Sequence, residues 1–104
     1  MSVFEHVTVA REANIYFDGK VTSRTITFAD GTTKTIGIIQ PGEYTFTTAA
    51  AELMEIISGA LEMRIGDDGD WRAVQGGEAF EVPAGTSFTM KAATLADYCC
   101  SFLR

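Results

Sequence analysis

The regular spacing of turn signals constrains this chain more than any other feature. Asp30-Gly31, Pro41-Gly42, Asp67-Asp68-Gly69-Asp70, Gly76-Gly77 and Pro83-Ala84-Gly85 separate short runs rich in threonine, isoleucine, valine and aromatic residues. Glycine supplies positive φ and proline presets φ, so each cluster ends one extended segment and opens another. Between the turns the pattern alternates. Val21, Ser23, Thr25 and Thr27 fall on one face of a segment whose other face carries Thr22, Arg24, Ile26 and Phe28. Asp30-Gly31 then marks a hairpin, and Tyr44-Thr45-Phe46-Thr47-Thr48 is aromatic and β-branched at strand spacing. Short strands broken by turns roughly every ten residues describe an all-β sandwich or barrel.

At 104 residues there is room for one core only. Eight Lys+Arg against fourteen Asp+Glu leave a formal charge of −6, which argues against nucleic acid or an anionic membrane as partner, since a polyanion needs a net basic face. Apolar runs are a few residues long and none reaches bilayer length. Met1 to Ala10 lacks a basic start and a long apolar stretch, so it is not expected to be a secretory signal. Cys99 and Cys100 are adjacent and make no disulfide framework; they read as reduced thiols, with a cytoplasmic location expected.

Ala49 to Arg64 disagrees with the rest. It is rich in helix formers, and Leu53, Ile56, Ile57, Ala60 and Leu61 share one helical face. The alternative is two strands, Glu52 to Ile57 and Ala60 to Ile65, around a Ser58-Gly59 turn. The next motif decides between them.

Gly77-x5-Pro83-x-Gly85-x2-Phe88 resembles the second cupin motif, whose last position is usually a metal-binding histidine. Glu52-x6-Gly59 matches the acidic half of the first cupin motif, and the places of its histidine pair hold Phe46 and Thr48. This resemblance implies a single-domain cupin, a small jelly-roll β-barrel, and puts Glu52 to Ile65 on a hairpin. Asn14-x-Tyr16-Phe17-x-Gly19-Lys20-Val21, Pro41 to Phe46, Ile57 to Leu61 and Tyr98-x-Cys100 sharpen the match. Together and in this order they resemble the small cupin family of pyrimidine/purine nucleoside phosphorylases, from about Asn14 to Leu103. Residues 1–13 are then an N-terminal extension and 14–104 the barrel. Ser101 stands where some members carry arginine, which removes one possible phosphate ligand.

The residues speak against a metal centre. The only histidine is His6, in the extension, and neighbouring cysteines on a strand point to opposite faces. Glu52 alone leaves a transition ion short of ligands, so no cofactor is expected.

If Glu52 faces inward, period 2 carries Met54 and Ile56 inward with it. Tyr44, Phe46 and Thr48 share the inward face of the neighbouring strand, Phe88 enters from the second motif and Tyr98 from the last strand. An aromatic mouth with one carboxylate and a few hydroxyls suits a nucleoside. Glu52 is the candidate catalytic group, and Tyr44, Phe46, Thr48, Met54, Phe88 and Tyr98 are candidates for binding the substrate. Lys20 and Arg24 are the basic residues offered for phosphate.

Each has a plainer rival. Glu52 could bond a backbone amide, the aromatics could be core, and Lys20 and Arg24 could lie on a solvated face. Arg64 and Arg72 flank the acidic turn and suggest surface ion pairs. Trp71 suggests core or dimer packing, and His6 an unpartnered surface residue. The resemblance implies phosphorolysis of purine and pyrimidine nucleosides by inorganic phosphate, and a homodimer with Tyr16 to Phe28 as candidate contacts. The competing reading is a non-catalytic, metal-free cupin that binds a small metabolite.

Overall fold

The computed structural model describes residues 2–67 and 69–103; Asp68 of the acidic turn lies outside the described residues. Among them the chain forms eleven strands. These are β1 (Thr8–Val9), β2 (Asn14–Tyr16), β3 (Val21–Thr27), β4 (Thr33–Ile39), β5 (Gly42–Thr47), β6 (Ala51–Ser58), β7 (Ala60–Ile65), β8 (Arg72–Gln75), β9 (Ala79–Val82), β10 (Ser87–Ala92) and β11 (Ala96–Leu103). One sheet runs β1-β3-β4-β11-β6-β9, with β2 also on the edge of β3; the other runs β5-β10-β7-β8. All pairings are antiparallel. The inner faces meet as in a jelly roll, but the two sheets remain separate rather than joining into one closed barrel.

The hairpin expected over Glu52 to Ile65 is formed, as β6 and β7, and the helical periodicity is overruled. Helical φ and ψ at Ala51 to Ser58 would forfeit the ladders to β11 and β9 that flank β6 on both sides. Gly59 makes the turn at φ 87° against Leu95 and Ala96, where a Cβ would overlap the Leu95 carbonyl oxygen.

Strand alternation separates the core from the surface. Val21, Ile39, Met54, Ile56, Leu61, Met63, Phe80, Phe88, Met90 and Tyr98 form the buried cluster between the sheets. Fully burying each such side chain contributes about 1.5–3 kcal/mol. Gly37 of β4 pairs with Ser23 of β3, and a Cβ there would overlap Thr22 O and Ser23 Cα.

Within residues 1–13, β1 adds to the free edge of β3 and Ala10 N donates to Thr25 O at 2.9 Å. Phe4 packs edge-on against Phe28 at 5.3 Å. On the outer face of the smaller sheet, the Trp71 ring has the Arg64 guanidinium 4.8 Å from its centre and Lys91 Nζ at 4.5 Å. Arg72 donates to Ala79 O at 3.3 Å.

Candidate functional site

Between the two sheets lies a cavity of about 220 Å³, lined by Tyr16, Ser23, Thr35, Phe46, Thr47, Glu52, Met54, Phe88, Met90, Tyr98, Cys100 and Phe102. The larger sheet supplies most of the polar wall through register. Cys100 pairs with Thr35 of β4 and Met54 of β6, Phe102 pairs with Glu52, and paired residues share a face. Ser23 and Tyr98 both lie opposite Gly37, on its two neighbouring strands. The smaller sheet supplies the apolar wall. Phe46 and Phe88 are cross-strand partners on β5 and β10, with ring centres 5.9 Å apart and planes 26° from parallel. A wider groove of about 580 Å³ along β7, β8 and Lys91 lies outside the sheets, and its lining is mostly apolar. The inner cavity combines concave shape, an apolar wall and a carboxylate with several hydroxyls, as a ligand site requires.

Glu52 is the carboxylate of this cavity. Burial among Phe88, Met54 and Phe102 raises its pKa, because a low-dielectric setting disfavours the charged form. The Cys100 thiol donates to Glu52 Oε1 at 3.4 Å and opposes that rise. The thiol itself is pushed up to about 12, first by burial and then by the neighbouring carboxylate, so it stays protonated. Tyr98 is also pushed up to about 12, chiefly by burial, and its hydroxyl makes a long 3.4 Å bond to Thr22 O.

The structure gathers Glu52, Phe46, Met54, Phe88 and Tyr98 in one cavity and places the other expected residues elsewhere. Tyr44 is buried within β5, and its hydroxyl reaches back to Gln40 O at 2.9 Å and Pro41 O at 3.0 Å, clamping the Pro41-Gly42 turn. Thr48 faces inward but serves the Pro83 to Thr86 turn. Its hydroxyl donates to Pro83 O at 2.6 Å and accepts from Thr86 N at 3.2 Å. Replacing Thr48 with valine is expected to leave that turn unsatisfied and cost about 1–3 kcal/mol in urea unfolding, with the fold retained. Arg24 lies on the outer face of β3, opposite to Ser23, and donates to the Arg11 carbonyl. Lys20 is exposed just after the Phe17–Gly19 turn and does not line the cavity.

Tyr16, Ser23, Thr35 and Cys100 also line the cavity, and sequence reading did not single them out for it. The available signal was period 2 on the last strand, since Tyr98 inward requires Cys100 inward. Cys99 takes the outer face.

These residues do not fit a cupin metal centre. Phe46 and Phe88 stack where two ligands would stand, and Thr48 is turned to the Pro83 loop. The remaining carboxylate is bonded to a protonated thiol. Among the described residues no three His, Cys, Asp or Glu side chains converge.

Architecture and site together define a small cupin whose cavity is organised around one carboxylate and an aromatic wall. The fold is shared with the oxalate decarboxylase of Bacillus subtilis, at TM-score 0.74 and 17% identity over 98% of this chain and 30% of that one. A protein of unknown function from Acinetobacter sp. ADP1 matches at TM-score 0.93 and 39% identity, covering 97% of this chain and 98% of that one. A curated relative from Geobacter sulfurreducens, named pyrimidine/purine nucleoside phosphorylase, is 62% identical over 103 residues, 99% of each chain. Residues 11–102 match the family described as pyrimidine/purine nucleoside phosphorylase, and the chain belongs to it.

Proposed function

We propose that this chain is a broad-specificity nucleoside phosphorylase that converts a nucleoside and inorganic phosphate to a free purine or pyrimidine base and a pentose 1-phosphate. Family membership supports the reaction class. The observation that carries the chemistry is Glu52, a desolvated carboxylate facing an aromatic wall in the cavity between the sheets.

In this reaction the C1′–N bond breaks, a C1′–O bond to phosphate forms, and the base leaves with a proton. Positive charge builds on the pentose ring on the way, as in glycoside hydrolysis. A preorganised carboxylate in a water-poor cavity stabilises that charge, and it also accepts bonds from pentose hydroxyls. The rings of Phe46 and Phe88 hold any base by stacking, worth about 1–3 kcal/mol per base without reading its edge. Lys20, four residues after the cavity-lining Tyr16, stays the phosphate candidate; Arg24 is on the far side of β3.

Only ionised Glu52 stabilises the developing cation, and its pKa is raised. The acid limb of kcat/KM is therefore expected to lie above the ordinary glutamate range. A pH–rate profile checks this.

A non-catalytic metabolite-binding module is the second reading. It is favoured by the lining itself, which includes no lysine or arginine among the described residues. The two readings separate on a panel of inosine, adenosine, uridine and cytidine with and without phosphate. Phosphate-dependent release of both base types, with pentose 1-phosphate in equal amount, establishes phosphorolysis. A rise in melting temperature with nucleoside and no cleavage establishes the module.

The chain is further proposed to work as a cytoplasmic homodimer, without nucleic-acid or membrane partners. Support for pairing comes from the outer face of the larger sheet, where Ile36 and Ile57 remain exposed. Sedimentation equilibrium decides the stoichiometry. No helix among the described residues is long and apolar enough to cross a membrane.

A further inference from the structure

The Tyr16 to Lys20 segment at the cavity mouth has three features that the reaction chemistry leaves unused. Phe17 and Asp18 adopt left-handed φ of 51° and 57°, followed by Gly19 at 89°. For side chains other than glycine this region is sparsely populated and persists only where surroundings impose it. The segment is anchored at its two ends, by the pairing of Tyr16 with Val21 and by Gln40 N donating to Lys20 O at 2.8 Å, while the turn between them has only Lys20 N donating to Phe17 O at 3.1 Å and Gln40 Nε2 donating to Gly19 O at 3.4 Å. It also presents two large rings to solvent. Tyr16 is 41% exposed and Phe17 45% exposed, although both touch the cavity wall. Tyr16 meets Phe46 edge-on at 5.5 Å, and Phe17 bridges Tyr44 at 5.1 Å and Phe46 at 5.3 Å.

The cavity volume gives this arrangement a purpose. Pockets for ligands of drug size run to roughly 300–1,000 Å³, whereas this cavity holds about 220 Å³. A nucleoside therefore fills this space and extends into the open mouth, where Tyr16 stands on the rim. The strands are laddered on both sides, except at the sheet edges. The Phe17–Gly19 turn lies outside these ladders and carries the positive-φ backbone, so it is the part of the wall that can move, hinged at Tyr16 and Lys20.

We propose that this segment is a ligand-operated cover. Tyr16 is the ring that closes over the nucleobase from the side opposite the inner wall, and Phe17 is the pin that holds the cover against Tyr44 and Phe46 when the cavity is empty. This inference rests on the nucleoside reading above and deepens it. It makes Tyr16 a specificity-determining residue that accepts purines and pyrimidines alike, because an outward-swinging ring adapts to the size of the base.

The test is hydrogen exchange on the whole protein with uridine or inosine and no phosphate, so that nothing turns over. The amides of residues 16–20 are expected to exchange several-fold more slowly with nucleoside bound, while those of β8 are unchanged. Phe17→Ala is expected to speed exchange of the same amides in the free protein. Tyr16→Ala is expected to raise KM for both nucleosides roughly 5- to 150-fold, the range that loss of one stacking contact predicts, with a smaller change in kcat and rescue by Tyr16→Phe. The cover is overturned if nucleoside is cleaved normally by Tyr16→Ala and leaves exchange at 16–20 untouched. A wild-type protein that neither binds nor cleaves any nucleoside overturns the nucleoside reading itself, and the cover with it.

Discussion

Replacing Glu52 with glutamine is expected to lower kcat for phosphorolysis roughly a hundred- to thousand-fold, with a much smaller effect on nucleoside KM. Glutamine keeps the shape, the acceptor for Cys100 and the bonds to pentose hydroxyls; what it removes is the negative charge. The loss should therefore appear in the transition state rather than in binding. The same variant carries an internal control against misfolding. Because Glu52 has a raised pKa, the folded state holds its proton more tightly than the unfolded chain does. Stability then declines as pH rises from the ordinary glutamate pKa through the raised one. Glutamine does not titrate, so Glu52→Gln is expected to melt higher than the wild type at neutral pH. That difference should shrink as pH falls below the ordinary glutamate pKa. A variant that is both slower and more stable places the cost of the carboxylate at the site.

The second large effect concerns the scaffold. Gly37→Ala is expected to destabilise the fold by roughly 3 kcal/mol or more, the upper end for overpacking, because the new methyl group meets backbone on β3 and not a movable side chain. For a domain of this size that corresponds to a fall in melting temperature of about 12 °C or more. Ser23 and Tyr98 flank Gly37, so a strand pushed outward there also widens the polar wall. Thermal unfolding monitored by circular dichroism gives the first number. Gly31→Ala makes a useful comparison, since its Cβ meets nothing within 4 Å and only its φ of 88° is strained.

How legible was all this before the structure? Strand placement was readable wherever turns and alternation agreed, as from Thr22 to Phe28. It was misleading at Ala49 to Arg64, where spacing of apolar residues suits a helix; the ladders that β11 and β9 make with β6 are long-range and invisible to local pattern. Within the site, Glu52, Met54 and Phe88 followed from motif position and period 2. Tyr44 and Thr48 obeyed the same periodicity and are buried, but both are spent on turns near the strand ends. Alternation alone shows which face a side chain takes and not how far along the barrel it stands. For Arg24 strand period is enough: the alternation that turns Ser23 inward turns Arg24 outward. Thr35 and Ser23 could not be read from any one segment, because register across β3, β4 and β11 brings them together.

The clamp around Trp71 has a practical consequence for anyone watching this protein by light. It is the chain's sole indole, and Arg64 and Lys91 hold it on the outer side of the smaller sheet, away from the cavity. Tryptophan emission should therefore follow denaturation of that sheet and remain silent when the cavity fills. Tyrosine emission, with Tyr16 and Tyr98 at the cavity wall, should respond. A titration that relied on the indole alone would score a working binder as inert.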